Sequence, residues 1–207
     1  MRPVKTLLAL VLFAGISLVR ADFVDAQREV IMFQSGHWTF NGYIYKPEGK
    51  GPFPAVIWNH GHHEHLTKKQ PTEYEELAKL YTRDGIVLFI PDRHVHDISR
   101  SDYSRELQTL LESDAKGEAV KIKQAEEELQ INADDVLAAF KWLKDQSYID
   151  SKRVAISGWS LGACVSLAAA EKSGGFRAVA LFSPRITEWK GNPGLQTALL
   201  RAAKNTS

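Results

Sequence analysis

A chain of 207 residues, 44% hydrophobic and 25% charged, is long enough for one domain with a real core and short for two. That composition excludes a disordered or fibrous class, and a formal net charge of +1 argues against a dedicated nucleic-acid binder. The single cysteine, Cys164, excludes an internal disulfide and reads as a small core hydrophobe on a helix.

The first residues carry the pattern of a secretory signal peptide. Arg2 and Lys5 form a basic start, Leu7 to Leu18 is an apolar run, and Val19-Arg20-Ala21 offers small residues before a cut. The run is short of the roughly 20 residues that a spanning helix needs. Residues 1–21 are therefore expected to be a leader cleaved after Ala21. Residues 22–207 then form one secreted or periplasmic domain with no stable membrane anchor. Cleavage removes three basic residues and no acid, so the mature chain turns net negative.

Glu29 to Phe33 and Trp38 to Tyr45 are β-prone segments around Ser35-Gly36, an antiparallel pair at a sheet edge. A turn-rich connection (Pro47 to Pro54) leads to Ala55-Val56-Ile57-Trp58, a continuous apolar run typical of a strand buried on both faces. It opens into Asn59-His60-Gly61-His62-His63-Glu64-His65. Thr72 and Glu75 form a capping box, and Tyr74, Leu77 and Tyr81 recur at helical spacing until Asp84-Gly85. Ile86 to Ile90 reads as a second buried strand, running into Pro91-Asp92-Arg93-His94-Val95-His96, where Asp92 and Arg93 read as a loop-fixing ion pair rather than as catalytic groups.

Ala125, Leu129, Ala133, Val136, Phe140 and Leu143 mark one face of a long helix, with Asp134 and Asp135 as a solvated or loop-anchoring pair. Ala178 to Phe182 reads as another buried strand. Asn192 and Pro193 open a last helix with Leu195, Leu199 and Ala202 on one face. Strands alternating with helices imply a mostly parallel sheet flanked by helices on both faces, an α/β class.

Between these elements stands Arg153 to Cys164: a short apolar strand, the turn Gly158-Trp159-Ser160-Leu161-Gly162, and a helix of small and apolar residues. A serine at a sharp strand-to-helix turn sits in a strained backbone conformation, and side chains at Gly158 and Gly162 would collide with the elements around it. The arrangement exposes the Ser160 hydroxyl at the mouth of a helix whose backbone N–H groups face a developing oxyanion.

An edge hairpin, an apolar strand ending in His60-Gly61 and a later Gly-Trp-Ser-Leu-Gly elbow resemble the α/β-hydrolases, in particular the dienelactone hydrolase-like group near the catalytic domain of prolyl oligopeptidases. The resemblance covers residue 30 onward. Dienelactone hydrolases use a cysteine nucleophile; here the matching position is Ser160, which favours ester, lactone or peptide-like acyl transfer through a serine. The resemblance implies two oxyanion donors, the backbone N–H of Leu161 and one just past the His-Gly loop, best matched by His62. His60, His63, His94 and Trp159 are then candidates to line the substrate pocket.

In that family the acid and then the histidine of the triad follow the nucleophile. From Leu161 to Ser207 there is no Asp and no His; Glu171 and Glu188 are the only acids. The expectation is therefore a C-terminally truncated α/β-hydrolase fold lacking the last two strands, with a weak or inactive serine. No cofactor, no metal and no nucleic-acid partner are expected, only a small-molecule ester or peptide-like substrate.

Two rival readings remain open. His60-Gly61-His62-His63-Glu64-His65 imitates the zinc motif of metallo-β-lactamase-like hydrolases, with Glu in place of Asp, and suits a divalent metal. The third reading is a non-enzymatic fragment that associates through an unfinished sheet edge.

Overall fold

The computed structural model describes residues 28–61, 72–94, 118–184 and 193–205. Six strands form one sheet: β1 (Arg28–Ser35), β2 (Trp38–Tyr45), β3 (Phe53–Asn59), β4 (Val87–Pro91), β5 (Ile149–Trp159) and β6 (Val179–Phe182). Four helices accompany them: α1 (Thr72–Arg83), α2 (Glu118–Lys144), α3 (Leu161–Ser173) and α4 (Pro193–Asn205). The expected leader lies outside the described residues, as do His62 and His63.

Across the sheet the order is β1-β2-β4-β3-β5-β6. The hairpin β1–β2 is antiparallel, with Phe33 opposite Phe40, and β2 joins β4 antiparallel with Tyr43 opposite Ile90. From there β4–β3, β3–β5 and β5–β6 are all parallel. β3 therefore lies at the centre with β4 and β5 on either side. The exits of these three parallel strands meet at one edge.

Helices cover both faces. Tyr43, Tyr45, Leu88 and Ile90 turn one way and pack against Tyr74 and Ala78 of α1. Phe33, Phe40, Ile57, Phe89 and Ile156 turn the other way, against Leu129, Val136 and Leu143 of α2, Cys164 and Ala168 of α3, and Leu199 of α4. Covering both faces is what requires β4 (Val-Leu-Phe-Ile-Pro) to be apolar throughout rather than alternating. The expected apolar face of α2 is buried at Leu129, Ala133, Val136, Phe140 and Leu143, and Cys164 is a core residue at 2% exposure.

Two expectations need correction. β6 is not a fully buried strand: its burial alternates, and Phe182 is 49% exposed. Among the described residues it is the sheet's last strand, paired only with β5, and its Phe182 ring lies 5.6 Å from that of Trp58. The adjacent aspartates of α2 do not act as a pair. Asp134 points to solvent and binds Lys172 at 2.7 Å, whereas Asp135 is buried. Successive helical residues are about 100° apart, so neighbours in sequence face different surroundings.

Candidate active site at the strand exits

β5 runs straight into α3 through Ser160, whose φ of 57° and ψ of −119° are conformations that side-chain-bearing residues avoid. Among the described residues only Ser160 and Ser183 combine a side chain with positive φ. The Ser160 side chain makes no cap bond to its own helix. Its backbone is held instead: Ser160 N–H donates to Phe182 O at 3.0 Å, and Ser160 O accepts from Ala163 N–H at 3.2 Å.

The two glycines make this turn possible. A Cβ on Gly158 would overlap the carbonyl oxygen of Gly162, and one on Gly162 would overlap that of Asn59 and come within 2.5 Å of His60 O. β3's exit, β5's exit and the first turn of α3 thus touch backbone to backbone. The Leu161 N–H lies in the first turn of α3, where helix geometry leaves amides without intrahelical acceptors. The loop from 62 onward, with His62 and His63, lies outside the described residues.

A buried polar network holds the strand exits together. Asn59 Nδ2 donates to Ser166 Oγ at 2.8 Å, and the Ser166 hydroxyl lies 2.7 Å from Gly162 O and 2.9 Å from Ser157 O. Ser157 Oγ donates to Ala180 O at 2.8 Å, tying β5 to β6. On the other side of β3, Arg93 Nη2 donates to His60 O at 2.8 Å and Nη1 to Asn59 Oδ1 at 3.4 Å. Arg93, Asn59, His60 and Ser166 have no solvent exposure.

The remaining candidates sit in different surroundings. His60 is wholly buried, with Nδ1 2.9 Å from Gly61 O; a bond there requires the proton on Nδ1. Trp159 is 47% exposed beside the serine. His94 is buried on the hairpin side of the sheet, its ring edge-on to Phe40 at 4.9 Å and to Trp38 at 5.4 Å. Its Nδ1 and its backbone N–H both meet Asp135 Oδ2, at 2.6 Å and 2.9 Å. This His–Asp pair stands at the exit of β4, on the far side of β3 from Ser160. Among the described residues no group of three His, Cys, Asp or Glu side chains could hold a metal ion.

Sequence reasoning passed over Asn59, Ser166 and Asp135 as individual contributors, and read Arg93 as half of a loop-fixing ion pair with Asp92. The contacts above give Arg93 that loop-fixing role through Asn59 and the His60 carbonyl. One signal was available: Ser166 is a polar residue inside the apolar run of α3, and Asn132 falls on the apolar stripe of α2. A polar side chain on a buried face needs a partner.

The model of the prolyl oligopeptidase family matches residues 113–192, which include the elbow. No curated protein matches the sequence. Among solved structures, DcsB in complex with its substrate analogue is 19% identical with a TM-score of 0.54, over 76% of this chain and 46% of that one. EstE1, a thermostable carboxylesterase cloned from a metagenomic library, is 16% identical with a TM-score of 0.54, over 78% and 48%. An acylaminoacyl peptidase from Pyrococcus horikoshii is 17% identical with a TM-score of 0.53, over 76% and 23%. The chain thus spans about half the length of the first two, 46% and 48%, and less of the third. A central parallel sheet with an antiparallel hairpin at one edge, helices on both faces and a strained serine between β5 and α3 give the chain the α/β-hydrolase fold.

Proposed function

We propose that this chain is an exported serine hydrolase in which the Ser160 hydroxyl attacks the carbonyl of an ester, lactone or peptide-like substrate. The carrying observation is the positive φ of Ser160 between two glycines whose missing side chains let three backbones meet. A serine kept in a conformation costing about 1–3 kcal/mol is a serine whose hydroxyl direction matters. In this reading the N–H groups of Leu161 and His62 receive the oxyanion, and Trp159 flanks the acyl group. The carboxylesterase and acylaminoacyl peptidase among the similar structures fit acyl transfer of this kind.

Proton transfer is the weak point of the site. Residues 161–207 hold no His, and His94 stands with Asp135 at the exit of β4, on the far side of β3 from Ser160. Turnover by this chain is accordingly slow, within the roughly 10³–10⁴-fold acceleration that an oxyanion site and binding supply without a full triad. Export follows from the leader at residues 1–21; an intact mass beginning at Asp22 in the extracytoplasmic fraction tests that part.

Incubation of the full chain with a fluorophosphonate probe tests the nucleophile. The expected result is labelling at Ser160, mapped by peptide mass, and its loss in Ser160→Ala. Folded wild type that takes up no probe, or Ser160→Ala that labels equally, overturns the reading.

A further inference from the structure

We propose that Trp58, Trp159 and Phe182 form an aromatic shelf that selects an acyl group carrying a flat ring. This rests on the reading of Ser160 as the nucleophile and names the substrate class of that site.

The three residues share one face of the sheet. Val154 and Ile156 of β5 pack into the core under α2 and α3, so Trp159, an odd number of residues further on, faces the α1 side. Val179 of β6 packs against the same core, and Phe182, again an odd number of residues on, faces the α1 side too. Trp58 packs with the α1 cluster, and its ring centroid lies 5.6 Å from that of Phe182 at an interplanar angle of 37°. Trp159 and Phe182 are register partners on neighbouring strands, which run about 4.7–4.9 Å apart.

Backbone ties the shelf to the nucleophile. Ser160, which follows Trp159, donates its N–H to the Phe182 carbonyl at 3.0 Å. Ser183, which follows Phe182, has φ of 43° although it precedes Pro184, a position that favours extended backbone. Strained residues persist where their surroundings over-determine them, and they gather at ligand-binding sites. The two strained serines thus flank one hydrogen bond, with an open ring beside each.

Exposure singles these rings out. Trp159 and Phe182 are 47% and 49% exposed, whereas the other exposed large apolar side chains among the described residues are aliphatic: Val30 and Met32 on β1, Leu80 on α1 and Leu200 on α4. An open ring gains nothing from water. A substrate ring set offset or edge-on at about 4.5–7 Å from these rings gains both burial and aromatic contact, and an aliphatic group gains burial alone.

The test measures inactivation of the full chain by phosphonofluoridates that carry benzyl or methyl on phosphorus in place of the acyl group, each rate divided by that of hydrolysis in buffer. The expected result is a benzyl-to-methyl ratio of at least about tenfold, lowered at least about threefold by Phe182→Ala and kept by the remote Leu80→Ala. A wild-type ratio within about twofold of unity, or one that Phe182→Ala leaves unchanged, overturns the proposal. A cyclohexylmethyl probe should react more slowly than benzyl; equal rates would mean that bulk alone is read, and would overturn the choice of a flat ring. Product acids bound to Ser160→Ala need no nucleophile: phenylacetate should shift the indole N–H NMR signals of Trp58 and Trp159, and acetate should not. Should wild type take up no probe, the reading of Ser160 fails, and the shelf stands if those signals move and falls if they do not. A dimer in light scattering that Phe182→Ala dissolves, without discrimination between probes, would show that a second copy covers the rings and would also overturn the proposal.

Discussion

Gly162 sits so close beneath Asn59 that a Cβ on the glycine would overlap the asparagine's carbonyl oxygen and come within 2.5 Å of its carbonyl carbon. This contact joins the exit of the central strand to the first turn of the elbow helix. Everything proposed for Ser160 depends on those two backbones staying in contact.

Gly162→Ala is expected to cost about 1–3 kcal/mol, as overpacking a close-packed site does, because both neighbours are main chain and cannot rotate away. Gly174→Ala is the comparison. That residue has φ of 57° but no heavy atom within 4 Å of its would-be Cβ, so only the left-handed conformation is penalised, by about 1 kcal/mol. Urea melts decide it. The prediction also requires Gly162→Ala, and not Gly174→Ala, to suppress labelling of Ser160. Equal labelling of both variants would remove the steric account of the elbow.

Ser160 stores strain that glycine would release. With φ of 57° and ψ of −119°, Ser160→Gly should be more stable than Ser160→Ala by about 1 kcal/mol or more, even though glycine ordinarily costs stability relative to alanine. Both variants lose the hydroxyl, so the comparison isolates the backbone. Denaturant midpoints that place alanine above glycine would show that the turn is relaxed.

The neighbouring aspartates of α2 provide a contrast in burial. Asp135 is 1% exposed, and its Oδ2 accepts two bonds from His94, so Asp135→Ala removes the acceptor of two buried donors and should cost about 1–3 kcal/mol for each. Asp134 is 62% exposed in its pair with Lys172, and Asp134→Ala should change stability by less than about 1 kcal/mol. Thermal melts of the two single variants, read side by side, would refute the distinction if the losses were alike.

Acid should loosen α4 before the sheet. The hydrogen bond from Arg201, at 2.6 Å, holds the Glu171 carboxyl below its ordinary value of 4.5; partial burial pulls the other way, and Asn205 assists Arg201. A carboxyl depressed in the folded state contributes stability above its unfolded value, and that contribution is lost as pH falls through the lower folded value. Protection of the α4 amides, taken relative to their intrinsic exchange rates, should therefore fall between neutral pH and about pH 3, and Glu171→Gln should show the lower protection at both ends. Protection in α4 that ignores pH in wild type would sink this linkage.

Much of this architecture was legible in local pattern. Ala55 to Trp58 and Ile86 to Ile90 read as strands buried on both faces, because parallel strands under helices need no polar alternation, and β3 and β4 are such strands. Leu129, Ala133, Val136, Phe140 and Leu143 repeat at helical spacing, and that periodicity needs no partner to be visible. Gly158 and Gly162 around Ser160 mark a tight turn for the same reason: the crowding arises within five consecutive residues.

β6 misled because its apolar run, Val179 to Phe182, resembles the runs of β3 and β4. Only the sheet order makes it a last strand with one face open at Phe182. His94 and Asp135 lie 41 residues apart, and Arg93 is 34 residues from Asn59. No periodicity links positions so separated; helix packing on a sheet brings them together. The sequence by itself determined the alternation of strands and helices and the serine at their sharpest turn, since both arise from short-range sterics and periodic hydrophobicity. The tertiary structure decided which polar side chains go inside and whom they bind, because burial of a charge is settled by neighbours distant in the chain that supply its hydrogen bonds.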